Sequence, residues 1–313
     1  MPPKKGLSDF FSKLHDSADT RVALYRGARW FAIIIAIGLI SKFFVCDSVR
    51  MDGLQMEPAI MAHDRVLLLK APYAIPPLRK FFAIENKLTV AAIPGKGEGN
   101  TILRIAAISG DTVSIDAGQF FLNRYAVRGL QKDTARYGVL PADYSPSDFM
   151  IPYRVPAPGD TVTFAGLTLR DLIFTYSALR QERSNLHLKA FAMSGDSIMS
   201  DYRIKDFSLY SGPIDSIPDE LAADWFFWDR LREYLRMQAE WTDAERPQLA
   251  FSVFRGAKEI TGFRVKKRYL FLMGDNWTGA KDSRYFGAVR IDNIKGQPVV
   301  RLWGNGKFWR ILK

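Results

Sequence analysis

Tyr269-Leu-Phe-Leu-Met-Gly274-Asp275-Asn276-Trp277-Thr-Gly-Ala280-Lys-Asp282-Ser283-Arg284-Tyr285-Phe286-Gly287 is the stretch on which the reading of this 313-residue chain turns. Its first five residues are aliphatic or aromatic and have the length of a strand. The rest is built as a turn. Asp282 and Arg284 can form a buried ion pair that holds it, and Asp275 can accept from nearby backbone amides. Structural roles are expected for these residues before catalytic ones.

The pattern outward from this stretch is short and β-like. Val66–Leu69, Leu88–Ile93, Thr101–Ile108 and Thr112–Asp116 are rich in β-branched or aliphatic residues and separated by Gly, Pro and Asn. Phe120–Leu122, Thr161–Phe164 and Val299–Trp303 repeat the style. Gly95-Lys-Gly-Glu-Gly99-Asn100 has the composition of a phosphate cradle, but a strand follows it where a helix is required, so it reads as a hairpin tip. The middle of the chain differs. Thr168-Leu-Arg-Asp171 resembles a capping box ahead of Leu172, Tyr176 and Leu179 at helical spacing. A second helix is expected from Ser216 and Pro218 to about Gln238, with Leu221, Trp225, Trp228 and Leu235 on one apolar stripe. Residues 118–262 thus read as a large mixed α/β insertion between two β-rich halves.

At the N-terminal side, residues 1–29 carry Lys4, Lys5, Lys13, Arg21, Arg26 and Arg29 against Asp9, Asp16 and Asp19. Trp30 to Cys46 is then apolar apart from Lys42, which lies near enough to the end to snorkel. The run suits a single transmembrane anchor over 30–46, slightly shorter than the roughly 20 residues usual for a spanning helix. The basic flank predicts a cytoplasmic segment 1–29 and an extracytoplasmic domain over 47–313. A cleaved signal is disfavoured by the long leading segment and by the lack of a small-x-small site.

The formal charge of +11 gathers toward the end, where Arg264–Lys313 has twelve Lys or Arg against three Asp. Zinc spacing, helix-turn-helix pattern and ribonucleoprotein motif are all missing, so no nucleic-acid partner is expected. Basic residues interleaved with Trp suit either anionic membrane lipids or a solvated face. The single cysteine, Cys46, allows no intramolecular disulfide. Phe43, Phe44 and Val45 before it are too bulky for a lipoprotein cleavage box. His15, His63 and His187 are scattered, so neither a metal nor a cofactor is expected.

Three segments in order carry a resemblance to a known family. Met51-Asp-Gly53-Leu54-Gln55-Met56-Glu57-Pro58-Ala-Ile, with His63-Asp64-Arg-Val66, is similar to V-x-G-x-S-M-x-P-T-L…G-D-x-V. Leu103-Arg104-Ile-Ala-Ala-Ile-Ser109-Gly110-Asp111-Thr-Val113 is similar to K-R-V-x-G-x-P-G-D-x-V. The opening stretch is similar to G-D-N-x-x-x-S-x-D-S-R-Y-W-G. Together they resemble bacterial signal peptidase I. The resemblance implies a mainly β domain behind one N-terminal transmembrane helix, on the outer face of the cytoplasmic membrane, where a Ser/Lys dyad cleaves signal peptides. It also marks Gly53, Met56, Pro58, Arg104, Gly110, Asp111, Gly274, Asp275, Asn276, Asp282, Ser283, Arg284 and Gly287 as the retained frame.

The departures fall on the chemistry. The nucleophilic Ser position is Gln55, the general-base Lys position is Leu103, and the position of the Ser that orients the lysine is Ala280. A carboxamide cannot form an acyl-enzyme, and leucine cannot accept a proton. The resemblance therefore implies a degenerate signal peptidase that binds signal-peptide or other extended peptide segments, or assists an active signal peptidase or export component. Two alternatives stand beside it. One is an active peptidase with a non-standard dyad, from groups such as Ser48, Ser109, Ser283, Lys70 and Lys281 or with a residue supplied by a partner. The other is a scaffold that recruits a partner through the insertion.

Overall fold

The computed structural model describes residues 18–40, 42, 45–74, 88–92, 100–141, 144–183, 185–238, 246–304 and 307–312. The chain divides into two compact units, Met1–Asp47 and Ser48–Lys313.

The first unit contains helix α1 (Ala18–Ile40), on which Trp30, Phe31, Ile34 and Ile37 are exposed. Among the described residues no helix is long and apolar enough to cross a membrane. Of the expected anchor, residues 30–40 form the second half of α1, and residues 41, 43 and 44 lie outside the described ones.

The second unit is mainly β. Its largest sheet orders β1 (Cys46–Arg50), β2 (Arg65–Leu69), β19 (Ile294–Gly304), β3 (Leu88–Ala92), β4 (Asn100–Ile108), β17 (Tyr269–Met273) and β18 (Val289–Arg290), with β20 (Lys307–Ile311) beside β19. The pairings from β2 to β18 are antiparallel. A second sheet orders β7 (Tyr125–Gln131), β6 (Gln119–Leu122), β5 (Thr112–Asp116) and β8 (Met150–Arg154). β9 (Thr161–Thr163) pairs with β16 (Gly262–Arg264). A third sheet joins β11 (Ser197–Ile198), β10 (Leu186–Ser194), β14 (Gln248–Arg255) and β15 (Lys258–Glu259), and β12 (Arg203–Ile204) pairs with β13 (Gly212–Pro213). The remaining helices are α2 (Ala71–Ala74), α3 (Thr134–Tyr137), α4 (Leu169–Glu182), α5 (Asp219–Ala222), α6 (Trp225–Met237) and α7 (Ser283–Phe286).

β17 explains why its run carries no alternation: all five residues are buried. Side chains on a strand alternate between faces. Tyr269, Phe271 and Met273 enter one apolar cluster with Phe120, Tyr153 and Phe174, while Leu270 and Leu272 enter another with Met51, Met56 and Leu103. The register of β4 against β17 shifts between Phe271 and Leu272, a bulge of the kind that bends a strand locally.

In the middle segment, Thr168 caps α4 by accepting from the Asp171 N–H at 3.2 Å. The single helix expected from Ser216 to Gln238 is two, α5 and α6. Asp224 starts the second by accepting from the Phe226 N–H at 3.1 Å, the usual way an Asp satisfies an orphan helix donor. The apolar stripe is core: Trp228, Phe227, Leu231 and Leu235 bury against α4 and the β10–β14 sheet. The Gly95–Asn100 hairpin tip lies outside the described residues except for Asn100.

Candidate functional site

Residues 51–64 form a loop closed at its base, where the Met51 N–H donates to Asp64 O at 2.8 Å and the His63 N–H donates to Met51 O at 2.7 Å. Met51, Met56 and Ile60 point inward, each at most 2% exposed, which fixes the loop to the sheet and leaves Leu54 exposed beside Gln55. The resemblance marks Gly53 as part of the family's frame. The structure gives a spatial reason for it, since a Cβ there would lie 2.0 Å from Gln55 Oε1. The Gln55 side chain folds back over this glycine.

The 274–287 turn clasps that loop. The Asn276 N–H donates to Gln55 O at 3.0 Å, and Asn276 Nδ2 donates to Leu54 O at 3.0 Å. Gly274 is the point of closest approach: a Cβ on it would sit 2.4 Å from Ala280 Cβ and 2.5 Å from Gln55 O. Positions 55 and 280 therefore meet across Gly274, although 225 residues separate them in sequence. Leu103 lies on β4 opposite Thr89, is fully buried, and shares its cluster with Met51, Met56, Ile60, Ile102 and Ile105.

Arg104, the next residue, turns to the other partner. Its Nε and Nη2 donate to Asp275 Oδ1 and Oδ2 at 2.8 and 2.7 Å, the bidentate geometry arginine favours. This corrects the expectation that Asp275 binds backbone amides. The pair locks the strand carrying Leu103 to the turn carrying Ala280.

The turn itself rests on Asp282 and Arg284, both fully buried. Arg284 Nε and Nη2 donate to Asp282 Oδ1 and Oδ2 at 2.8 and 2.7 Å, and Nη1 donates to Ser147 Oγ at 2.7 Å and Trp277 O at 3.0 Å. Asp282 accepts the N–H of Gly274 at 2.9 Å. Burial works against the Arg284 charge, but the Asp282 carboxylate and its hydrogen bonds leave the guanidinium pKa above its ordinary value. Ser283 Oγ accepts the Leu272 N–H at 2.9 Å. Gly287 takes φ +78°, where a Cβ would lie 2.9 Å from Phe174, so glycine meets both the backbone and the space requirement. Gly110 and Asp111 lie apart from this cluster. They close the β4–β5 turn, Gly110 with φ +97° and Asp111 Oδ2 accepting the Ile108 N–H at 2.9 Å.

The alternative catalytic groups have structural partners. Ser109 Oγ accepts the Tyr269 N–H at 2.6 Å, Ser283 is fully buried, and Lys281 Nζ lies 2.6 Å from Asp224. The basic C-terminal segment is also partly spent internally, with Arg284 on Asp282 and Arg301 on Asp64. Sequence reading missed Ser147 and the fully buried Lys132–Asp148 pair at 2.6 Å. Neither carries a local signal, because their partners come from distant segments. Among the described residues no group of side chains could hold a metal ion.

No curated protein shows significant similarity to the chain. The family described as signal peptidase, peptidase S26, matches residues 24–148 and 220–303, about two thirds of the sequence. The match takes in all three motif segments and the clasp that joins them, and the chain belongs to the signal peptidase family, peptidase S26.

Proposed function

We propose that this chain is a catalytically inactive signal peptidase that retains the family's frame and uses it to hold extended peptide segments, or to assist an active peptidase or export component. The burial of Leu103 carries the reading. The base position is filled by a side chain with no solvent exposure, packed among methionine and isoleucine, where nothing can take a proton from a nucleophile. Gln55 offers a carboxamide in place of a hydroxyl. Loss of a nucleophile or base from a serine protease costs on the order of 10⁶ in turnover. The structural commitments of Ser109, Ser283 and Lys281 weigh against a substitute dyad.

The apolar run from Trp30 to Cys46 holds the chain at the cytoplasmic membrane, with residues 1–29 inside and 47–313 outside. The exposed Trp30, Phe31, Ile34 and Ile37 support this, because contiguous apolar surface in water is costly. Reporter fusions at residues 15 and 313 test the topology, and a cytoplasmic fusion at 313 overturns it.

The inactivity is tested by labelling with a serine-reactive probe and by a signal-peptide cleavage assay. The unmodified chain is expected to do neither reaction. Gln55→Ser with Leu103→Lys is expected to restore slow cleavage, and Ala280→Ser to improve it by orienting the new lysine. Each single change restores little, because nucleophile and base act as one unit. Cleavage by the unmodified chain that survives Gln55→Ala overturns the proposal.

A further inference from the structure

β8 and β9 follow one another in the chain but pair with different partners. β8 ends the β7-β6-β5-β8 sheet, and β9 pairs with β16. The alternation of antiparallel hydrogen bonds shows which backbone groups lie on their free edges. Along β8, the Val155 N–H donates to Asp111 O at 2.8 Å, and Arg154 faces Thr112 in register. Val155 and Tyr153 thus bond toward β5, so the Arg154 N–H and C=O point away from it. Pro152 is on the same outward side, and its carbonyl accepts instead from Arg170 Nη2 of α4 at 3.2 Å.

Along β9, the Phe164 N–H donates to Thr261 O at 2.9 Å and Asp160 O accepts the Val265 N–H at 2.8 Å. The bonded residues are therefore 160, 162 and 164. Thr161 and Thr163, both exposed, direct their N–H and C=O away from β16. Among the described residues none bonds the main chain of either.

A cleft of about 460 Å³ is lined by Arg154 of β8 and by all three residues of β9. Leu167, just before the capping Thr168, and Asp171 and Thr175 in the first half of α4 line its third side. Every residue that lines it lies within 149–219, the segment outside the family match. Its volume is in the range of ligand sites. An open strand edge is ordinarily blunted by proline, lysine or a covering element. On β8 Pro152 and Arg170 do this, whereas among the described residues no main-chain partner meets the outer edge of Thr161-Val162-Thr163 on β9.

The geometry points to this cleft as a docking groove for an extended peptide segment that adds to β9 as a strand, pairing its backbone with Thr161 and Thr163. The groove is charge-balanced. Asp160 is paired with Arg154, and Asp171 with Arg170 at 2.6 Å. A charged peptide side chain would find no open counter-charge among these four, so the segment is uncharged where it enters, with polar or aliphatic side chains. The inference does not rest on the inactive-peptidase reading, because it involves none of Gln55, Leu103 or Ala280.

The test selects displayed uncharged decapeptides on the full-length chain in detergent and measures one labelled binder by fluorescence anisotropy. Thr163→Pro removes an outward N–H while leaving the β16 pairing, a placement that proline tolerates in edge strands. It is expected to weaken binding about fivefold to tenfold, the worth of a backbone hydrogen bond, while Thr163→Val and Gln55→Ala leave it unchanged. Amide exchange at Thr161 and Thr163 in the unmodified chain is expected to slow when the peptide is added. That readout decides the matter if the proline variant fails to fold. Recovery of no binder overturns the proposal, as does a binder that leaves exchange at both threonines unaltered. A binder weakened by Gln55→Ala but not by Thr163→Pro also overturns it, and places the peptide at the family cleft.

Discussion

Leu103→Lys puts a number on what the family's base lysine would meet at this position. Leu103 has no solvent exposure, and its neighbours Met51, Met56, Ile60, Ile102 and Ile105 supply no counter-charge. A lysine there must enter the fold neutral. With an unfolded lysine pKa of about 10.4, holding it neutral at pH 7 costs roughly 4.6 kcal/mol. Fitting the longer lysine side chain into a packed core adds about 1–3 kcal/mol. Against a typical domain stability of roughly 5–15 kcal/mol this is a large fraction. The sign follows from burial, which depresses the folded pKa below the unfolded one. The penalty is absent above about pH 10.4 and grows by about 1.4 kcal/mol for each unit the pH falls, down to the folded pKa. Urea unfolding of both proteins, followed by tryptophan fluorescence, is compared at each pH from 7 to 10. The stability gap is expected to shrink by about 4 kcal/mol over that range. The same neutrality is what a general base needs, so the stability cost and any proton transfer by the new lysine share one origin. A gap that stays constant with pH would falsify the reasoning, since the new ammonium would then reach water or the Asp275 carboxylate.

Asp282→Asn leaves the fully buried Arg284 guanidinium without its carboxylate and is expected to destabilise by about 3–5 kcal/mol in the same unfolding assay. Asp282→Asn with Arg284→Met should be milder than Asp282→Asn alone, since no charge is then stranded. Gly287→Ala forces a Cβ into a φ of +78° and against Phe174, and a loss of about 1–3 kcal/mol is expected, read as a lower Tm. Burial raises the Tyr73 pKa to about 12 and also raises those of Tyr153 and Tyr269. In the unfolded chain these phenols ionise near pH 10, so above that pH the unfolded state binds fewer protons and stability falls as pH rises. Below about pH 11 phenolate absorbance from these three is expected to appear only with global unfolding, and its appearance there in the folded chain contradicts their burial.

The parts of this protein legible in its sequence are those whose causes are local. The strand runs at Val66–Leu69, Thr101–Ile108 and Tyr269–Met273 follow from side-chain type and turn punctuation, and the structure has strands there. The start of α4 follows from a threonine that caps a donor three residues on. The break between α5 and α6 escaped, because an apolar stripe alone does not show where a capping aspartate restarts a helix. The family and the three altered positions were also readable, since motif spacing survives in the linear order. Tertiary structure decided the rest. It gave Asp275 to Arg104, 171 residues away, in place of nearby amides. It joined Gln55 to Ala280 across a glycine, committed Ser283 to the Leu272 amide, and left one edge of β9 unpaired among the described residues. Hydrogen bonds and burial between distant segments depend on how sheets assemble, and pattern along a chain carries no record of which strands become neighbours.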